Sequence, residues 1–144
     1  MNVVCLAQRD PVLAAKQCAT IDMPSEGRLL PAFGVGSERA PEWDAMGLGR
    51  DGLGARTDEA LEVIHRLWTE ERLTFEGTYY RTVRATIYDR PPKPLPIYIA
   101  AGGPQVARYA GRAGDGMICT SGKAPDLYSG QLLPAVAAAR AESN

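Results

Sequence analysis

Apolar residues fall along this chain in short runs that alternate with longer amphipathic stretches. Residues 3–7 (VVCLA) form a continuous apolar run, which predicts a strand buried on both faces. Asp10-Pro11 then reads as an N-cap followed by proline at the first helical position. The helix after it sets Val12, Ala15, Cys18 and Ala19 along one face until Pro24 and Gly27 stop it. Residues 29–35 are a second strand candidate, weakened by Pro31 within it. A polar, glycine-bearing loop runs from Ser37 to about Gly54. The helix predicted over 55–71 carries Ala60, Leu61, Ile64, Leu67 and Trp68 at helical spacing, with Asp58 and Glu59 near its positive end. Residues 72–83 (RLTFEGTYYRTV) alternate around Glu76-Gly77 and predict a β-hairpin. The DRPPKPLP stretch, 89–96, reads as an extended connector. Residues 97–101 give a third buried strand, and Pro104 opens a helix with Val106, Tyr109, Ala110 and Ala113 at i, i+3, i+4 and i+7. Residues 114–120 (GDGMICT) give a fourth strand, and a helix kinked or broken at Pro134 closes the chain.

Apolar strands alternating with amphipathic helices imply an α/β fold with a parallel sheet and helices outside it. In such folds ligands sit beyond the carboxyl ends of the strands. Those ends are Gln8-Arg9-Asp10, Gly36-Ser37-Glu38-Arg39, Gly102-Gly103-Pro104-Gln105 and Thr120-Ser121-Gly122-Lys123. Each carries polar or flexible residues, so the expectation is a single rim lined by all of them.

Composition narrows the field. With 144 residues there is enough chain for one domain with a real core, and 1–144 is read as one domain. A net charge of -1 and the lack of like-charge blocks give no footprint for nucleic acid. No apolar run approaches the ~20 residues that span a bilayer. The start MNVVCLAQRD lacks the basic head and apolar centre of a signal peptide, so a cytoplasmic protein is expected. Cys5, Cys18 and Cys119 are far apart and His65 is the only histidine. A zinc site needs about four ligands, so no metal site is expected, and the cysteines read as small reduced core residues.

Several positions bear chemistry. Gly102-Gly103 leads straight into a helix start, where close backbone approach and free N–H groups suit a phosphate. The alternative is a tight turn with no ligand. Thr120-Ser121-Gly122-Lys123 offers hydroxyl donors and an ammonium for a second anion, or is a solvated turn; it lacks the spacing of a Walker loop. Glu38 and Arg39 are either an acid and an electrophile or a surface ion pair. Trp43 either packs the loop or stacks on a ligand, His65 flanks a helix, and Tyr79 and Tyr80 pack the hairpin.

These stretches resemble the luciferase-like monooxygenase superfamily, oxidoreductases that use a flavin or deazaflavin on a (β/α)8 barrel. Residues 6–36 (LAQRDPVLAAKQCATIDMPSEGRLLPAFGVG) are similar to its central strand-helix-strand pattern, and 54–81 (GARTDEALEVIHRLWTEERLTFEGTYYR) to its next helix and hairpin. Residues 97–123 (IYIAAGGPQVARYAGRAGDGMICTSGK) resemble most closely the branch using coenzyme F420, an 8-hydroxy-5-deazaflavin, and within it the glucose-6-phosphate dehydrogenases. The resemblance implies that Gly102, Gly103, Gln105 and Val106 contact the coenzyme, with Ser37 and Glu38 as a further contacting pair. It implies that Thr120 and Lys123 contact a substrate phosphate.

The branch carries a Gly-Thr-Gly-Glu run whose glutamate serves in proton transfer, where this chain has Gly36-Ser37-Glu38-Arg39. Either Glu38 supplies the carboxylate one position early, or Arg39 replaces it, and a guanidinium is no general base at neutral pH. A histidine on an earlier strand of the branch has no counterpart here. A full barrel needs eight strands and about 250 residues, and the sequence predicts four strands. The expectation is therefore a partial barrel of about four parallel βα units with a hairpin insertion. It is a truncated product or a half-barrel that pairs with another chain, a homo-oligomer included. The implied function is hydride transfer between a small alcohol or sugar-type substrate, phosphorylated or not, and the deazaflavin. The alternatives are an FMN-dependent monooxygenase and a non-catalytic fragment or interaction module.

Overall fold

The computed structural model describes residues 3–119, 122 and 124–143. Along the chain run β1 (Val4–Cys5), α1 (Pro11–Ser25), β2 (Ala32–Gly34), α2 (Glu42–Ala45), α3 (Leu53–Thr69), β3 (Leu73–Glu76), β4 (Arg81–Ala85), β5 (Tyr98–Ala100), α4 (Pro104–Ala113), β6 (Gly116–Ile118), α5 (Pro125–Leu127) and α6 (Leu133–Ser143). A 3-10 turn occupies Leu6–Gln8 and a π turn Tyr128–Leu132. The chain divides into two compact units. One comprises Met1–Val4, Leu30–Gly34 and Pro96–Asn144, the other Cys5–Leu29 and Val35–Leu95.

The first unit is built on a sheet of order β1-β2-β5-β6. β5 runs parallel to both neighbours, with Ala32 opposite Tyr98 and Phe33 opposite Ile99 on one side, and Ile99 opposite Met117 and Ala100 opposite Ile118 on the other. The β5–β6 ladder is clipped at its start by Asp115, whose carboxylate accepts the Ile97 N–H at 2.8 Å while its own N–H donates to the Ile97 carbonyl at 2.8 Å. β2 is buried at every residue, as expected of a parallel strand covered on both faces. α4 lies against α6 through small residues: Ala107, Ala110 and Gly111 are buried, as are Leu132 and Ala139. The face is rotated from the predicted one, and Ala113 is exposed. The disturbance expected at Pro134 comes in the turn before it. There the Leu133 N–H reaches back five residues to the Tyr128 carbonyl, and the widened turn precedes a proline that has no N–H to give.

In the second unit α1 and α3 form the core. α3 buries Ala60, Leu61, Val63, Ile64, Leu67 and Trp68, matching its predicted stripe. Each large apolar side chain so buried contributes about 1.5–3 kcal/mol. Against them α1 turns Ala14, Ala15 and Ala19, small enough for the Trp68 indole to approach and donate to the Ala15 carbonyl at 3.1 Å. Asp22, on the same face, is buried and accepts the Leu29 N–H at 3.2 Å. His65 is exposed on α3, as a flank residue should be.

β3 and β4 form the predicted antiparallel hairpin, with Glu76 opposite Arg81 and an irregularity between Leu73 and Phe75. Its turn is held by Glu59 of α3, whose carboxylate accepts three consecutive backbone N–H groups, Thr78 and Tyr79 at 2.8 Å and Tyr80 at 3.1 Å. Burial works to raise the Glu59 carboxyl, but these donors and the Thr78 hydroxyl outweigh it and hold it below its ordinary value.

One strand departs from expectation. The run 3–7 was expected to be a buried strand throughout, yet only Val4–Cys5 is strand, Val3 is exposed and Leu6 begins the 3-10 turn. That turn lets Leu6 and Ala7 be buried consecutively, which a strand's alternation forbids when one face is open.

Two predictions follow from this packing. A Cβ at Gly111 would lie 2.6 Å from the Val136 carbonyl oxygen, a backbone atom that cannot step aside. Gly111→Ala is therefore expected to destabilise by about 1–3 kcal/mol, although helix propensity alone favours alanine. Gly54→Ala in α3, where the added atom meets open space, is expected to be neutral or stabilising in the same thermal melts. For Glu59 the folded-state value is depressed, so the unfolded chain binds more protons in acid and the contribution is lost as pH falls below the ordinary glutamate value of about 4.3. Glu59→Gln is expected to melt lower than the unaltered chain at pH 7, with the difference shrinking steadily toward pH 3.

Candidate functional site

In the first unit, β5 and β6 leave the sheet at the same level, because Ala100 pairs with Ile118. The Ala101 N–H extends the ladder by donating to the Ile118 carbonyl at 2.8 Å, and Gly102-Gly103 then turns the chain into α4. Gly103 is the N-cap residue, in extended conformation with no side chain capping the helix, and Pro104 opens it. The Gly103 carbonyl accepts the Ala107 N–H at 3.0 Å. Among the described residues the N–H groups of Gln105 and Val106 have no acceptor, as expected of an uncapped first turn. A Cβ at Gly102 or Gly103 would meet nothing within 4 Å. Neither backbone strain nor packing among the described residues requires glycine at either place, and the space in front of them is open. Gly102, Gly103, Gln105 and Val106, proposed from the sequence, thus come together at one helix start.

α1 begins differently. Its N-cap Asp10 accepts the Leu13 N–H at 2.8 Å, so this helix start carries its own carboxylate. Among the described residues the chain thus caps one strand-to-helix turn with a side chain and leaves the other uncapped.

Ser37 and Glu38 belong to the second unit. Gly36 enters their turn at φ +85, where a Cβ would also collide with the Cys5 sulfur, so this glycine is required by the chain itself. Trp43 is fully buried and donates through its indole N–H to the Ser37 carbonyl at 2.8 Å, which makes it a packing residue. Arg50 donates from Nε to the Glu38 carbonyl at 2.9 Å and grips Asp44 with both terminal nitrogens at 2.9 and 2.8 Å. The hydrogen bonds from Arg50, with its charge, hold Asp44 below the usual carboxylate range. The 37–38 backbone is thus fixed, while the exposed Glu38 carboxylate has no partner among the described residues and forms no ion pair with Arg39. Thr120 and Lys123 lie outside the described residues.

The second unit also holds a cleft of about 420 Å³ that no motif marked. Residues 7–10, residues 46–49, Arg56, Tyr79 and Tyr80 line it. Only Gln8-Arg9-Asp10 had been singled out, as a strand end; the hairpin tyrosines read as packing because nothing in their spacing shows that they face a cavity. The cysteines are free and half-buried, and burial, with the nearby Asp22 charge, pushes Cys18 up to about 11. Among the described residues no group of His, Cys, Asp or Glu is placed to hold a metal ion, and no helix is long and apolar enough to cross a membrane.

Known proteins share this arrangement. The F420-dependent glucose-6-phosphate dehydrogenase of Intrasporangium calvum is 51% identical over 133 residues, covering 88% of this chain and 39% of that protein. The dehydrogenase of the same description from Segniliparus rotundus is 50% identical over 131 residues, covering 88% and 38%. The chain thus spans about two fifths of the length of these relatives. Among solved structures, an F420-dependent secondary alcohol dehydrogenase in complex with an F420-acetone adduct superposes with a TM-score of 0.85 at 27% identity, over 98% of this chain and 43% of that one. The monooxygenase RslO1 from Streptomyces bottropensis superposes at 0.84 with 30% identity, over 99% and 44%. These neighbours, with the parallel sheet, identify the fold as part of a (β/α)8 barrel. The sequence profile described as luciferase-like monooxygenase matches residues 2–144, and the chain belongs to that family.

Proposed function

We propose that this chain is the central part, as one domain over 1–144, of an oxidoreductase that moves a hydride between a small alcohol or sugar-type substrate and coenzyme F420. The single observation that carries the reading is the open start of α4: a glycine pair with free space before it and helix N–H groups without an acceptor among the described residues. A phosphate-bearing coenzyme fits such a cradle, and two relatives at 51% and 50% identity are named for F420. When bound, the deazaflavin supplies the site that accepts or gives the hydride. Gly102 and Gly103 let the backbone approach it, Gln105 and Val106 offer their N–H groups, and Ser37 with Glu38 makes a second contact. Glu38 carries the proton, its carboxylate without a partner among the described residues on a backbone fixed by Trp43 and Arg50. Thr120 and Lys123 hold an anionic group of the substrate, a phosphate by preference, and so select phosphorylated small molecules.

A second reading keeps the family and the phosphate cradle but takes FMN as the cofactor in a monooxygenase. The likeness to a monooxygenase structure at 30% identity favours it. Purified protein carrying FMN absorbance and turning over only with oxygen would select this reading.

Calorimetric titration with F420 tests the first reading, and the absence of binding overturns it. Gly103→Val is expected to weaken that binding at least tenfold, about 1.4 kcal/mol, with the melting temperature unchanged. The backbone at 103 is extended and suits a β-branched residue, and an added Cβ meets nothing within 4 Å. Unaltered affinity would place the coenzyme elsewhere. In an active preparation Lys123→Ala is expected to raise KM for phosphorylated substrates far more than for neutral ones, and equal effects would remove its role.

A further inference from the structure

The cleft of the second unit does not include the α4 start, and no part of the proposed function uses it. We infer that it is a separate ligand site, for an organic anion: a phosphate or carboxylate carried on a flat or sugar-sized body.

Arg9 and Arg56 both line the cleft, and among the described residues neither guanidinium has a carboxylate partner. Arg50, Arg66 and Arg108, by contrast, each hold a carboxylate oxygen within 2.9 Å. Asp10 is the one acidic side chain in the lining, and one of its oxygens is already committed to the Leu13 N–H.

Arg56 is held in place without being neutralised. It donates from Nη1 to the Gly49 carbonyl at 3.2 Å and lies 5.4 Å from the centre of the Tyr79 ring. A guanidinium has five N–H donors in a rigid fork, and these contacts leave most of them for an anion. The tyrosines are fixed from behind, because Glu59 grips the backbone of both. Burial raises the Tyr80 hydroxyl above its ordinary value, so at neutral pH it is a hydrogen-bond donor and not a competing anion. Met46 and Leu48 add apolar surface, Met46 being more than half exposed. A volume of about 420 Å³ falls among small-molecule sites, which run from about 300 to 1,000 Å³. Cation, donor, ring and apolar wall on fixed elements make a receptor for a charged head on a small body.

The test is a titration of the full 15N-labelled chain with phenyl phosphate, phenol and inorganic phosphate. Phenyl phosphate is expected to shift the amide signals of Gly47, Gly49, Tyr79 and Tyr80, and to bind at least about tenfold more tightly than either half of the molecule. Arg56→Gln and, separately, Arg9→Gln are each expected to weaken it about fivefold or more. Arg9 is exposed and its side chain makes no hydrogen bond or ion pair among the described residues, so its variant keeps the question open to measurement if Arg56→Gln does not fold. Shifts confined to the Gly102–Val106 amides, equal binding of phenol, no binding of phenyl phosphate, or no effect of the available arginine variant would each overturn the proposal. The same variants titrated with F420 distinguish the sources of the anion. Loss for phenyl phosphate alone supports a separate ligand, and loss for both assigns the cleft to the coenzyme's own acidic portion and overturns a separate site. Failure of the oxidoreductase reading would appear instead as F420 failing to bind while phenyl phosphate still shifts the cleft amides.

Discussion

The in-register parallel pairing of β5 with β2 on one side and β6 on the other is the constraint on which the first unit depends. Only three residues long, β5 supplies both ladders at once. Short strands gain little from their own hydrogen bonds, so the register has to be set by what flanks them. Asp115 sets it on one side by exchanging hydrogen bonds with Ile97, and the Pro31 carbonyl sets it on the other by accepting the Tyr98 N–H at 3.0 Å. With the level of the strand ends fixed, the Gly102 turn has one place to go. Small residues on α4 and α6 then let the helices close over the sheet, and Arg140 ties α6 to the Asp115 carbonyl at 3.0 Å. The exposed pair between Arg108 and Glu142 adds little beside this packing.

The second unit is organised by polar side chains that reach backbone groups. Trp68 reaches Ala15, Trp43 reaches Ser37, Asp22 reaches Leu29, and Glu59 reaches the hairpin turn. Two of them, Trp68 with Ala15 and Glu59 with the hairpin turn, join segments far apart in sequence, and each gives a partner to a backbone group of a loop or helix. Loops therefore acquire fixed shapes here without belonging to a sheet. That is why both the Ser37-Glu38 turn and the walls of the cleft are defined.

Much of this could be read from sequence, and the limits have physical causes. The stripe on α3, the hairpin around Gly77, the Asp10 cap and the glycine turn before α4 are local patterns whose meaning survives in any context. The rotation of α4 was not legible, because in a helix of mostly small residues the buried face is chosen by the partner, here the turn of α6 next to Gly111. Nothing in the local pattern singles out Asp22, and Glu59 reads only as an acid at the positive end of its helix, since their partners lie in loops beyond the helices that carry them. The likeness to the F420 branch came from residues 97–123, where short-range spacing and chemistry coincide. The cleft escaped notice because its lining is drawn from segments that meet only after folding.

The contrast between the two helix starts has a thermodynamic reach. α1 carries its counter-charge covalently in Asp10, so the Leu13 N–H has its acceptor without any solute. α4 has no such cap among the described residues, and on the proposed reading its first turn gains free energy from a bound anion, in proportion to the logarithm of that anion's concentration over its dissociation constant. On that reading one aspartate separates a joint that caps itself from one whose firmness reports the supply of its ligand.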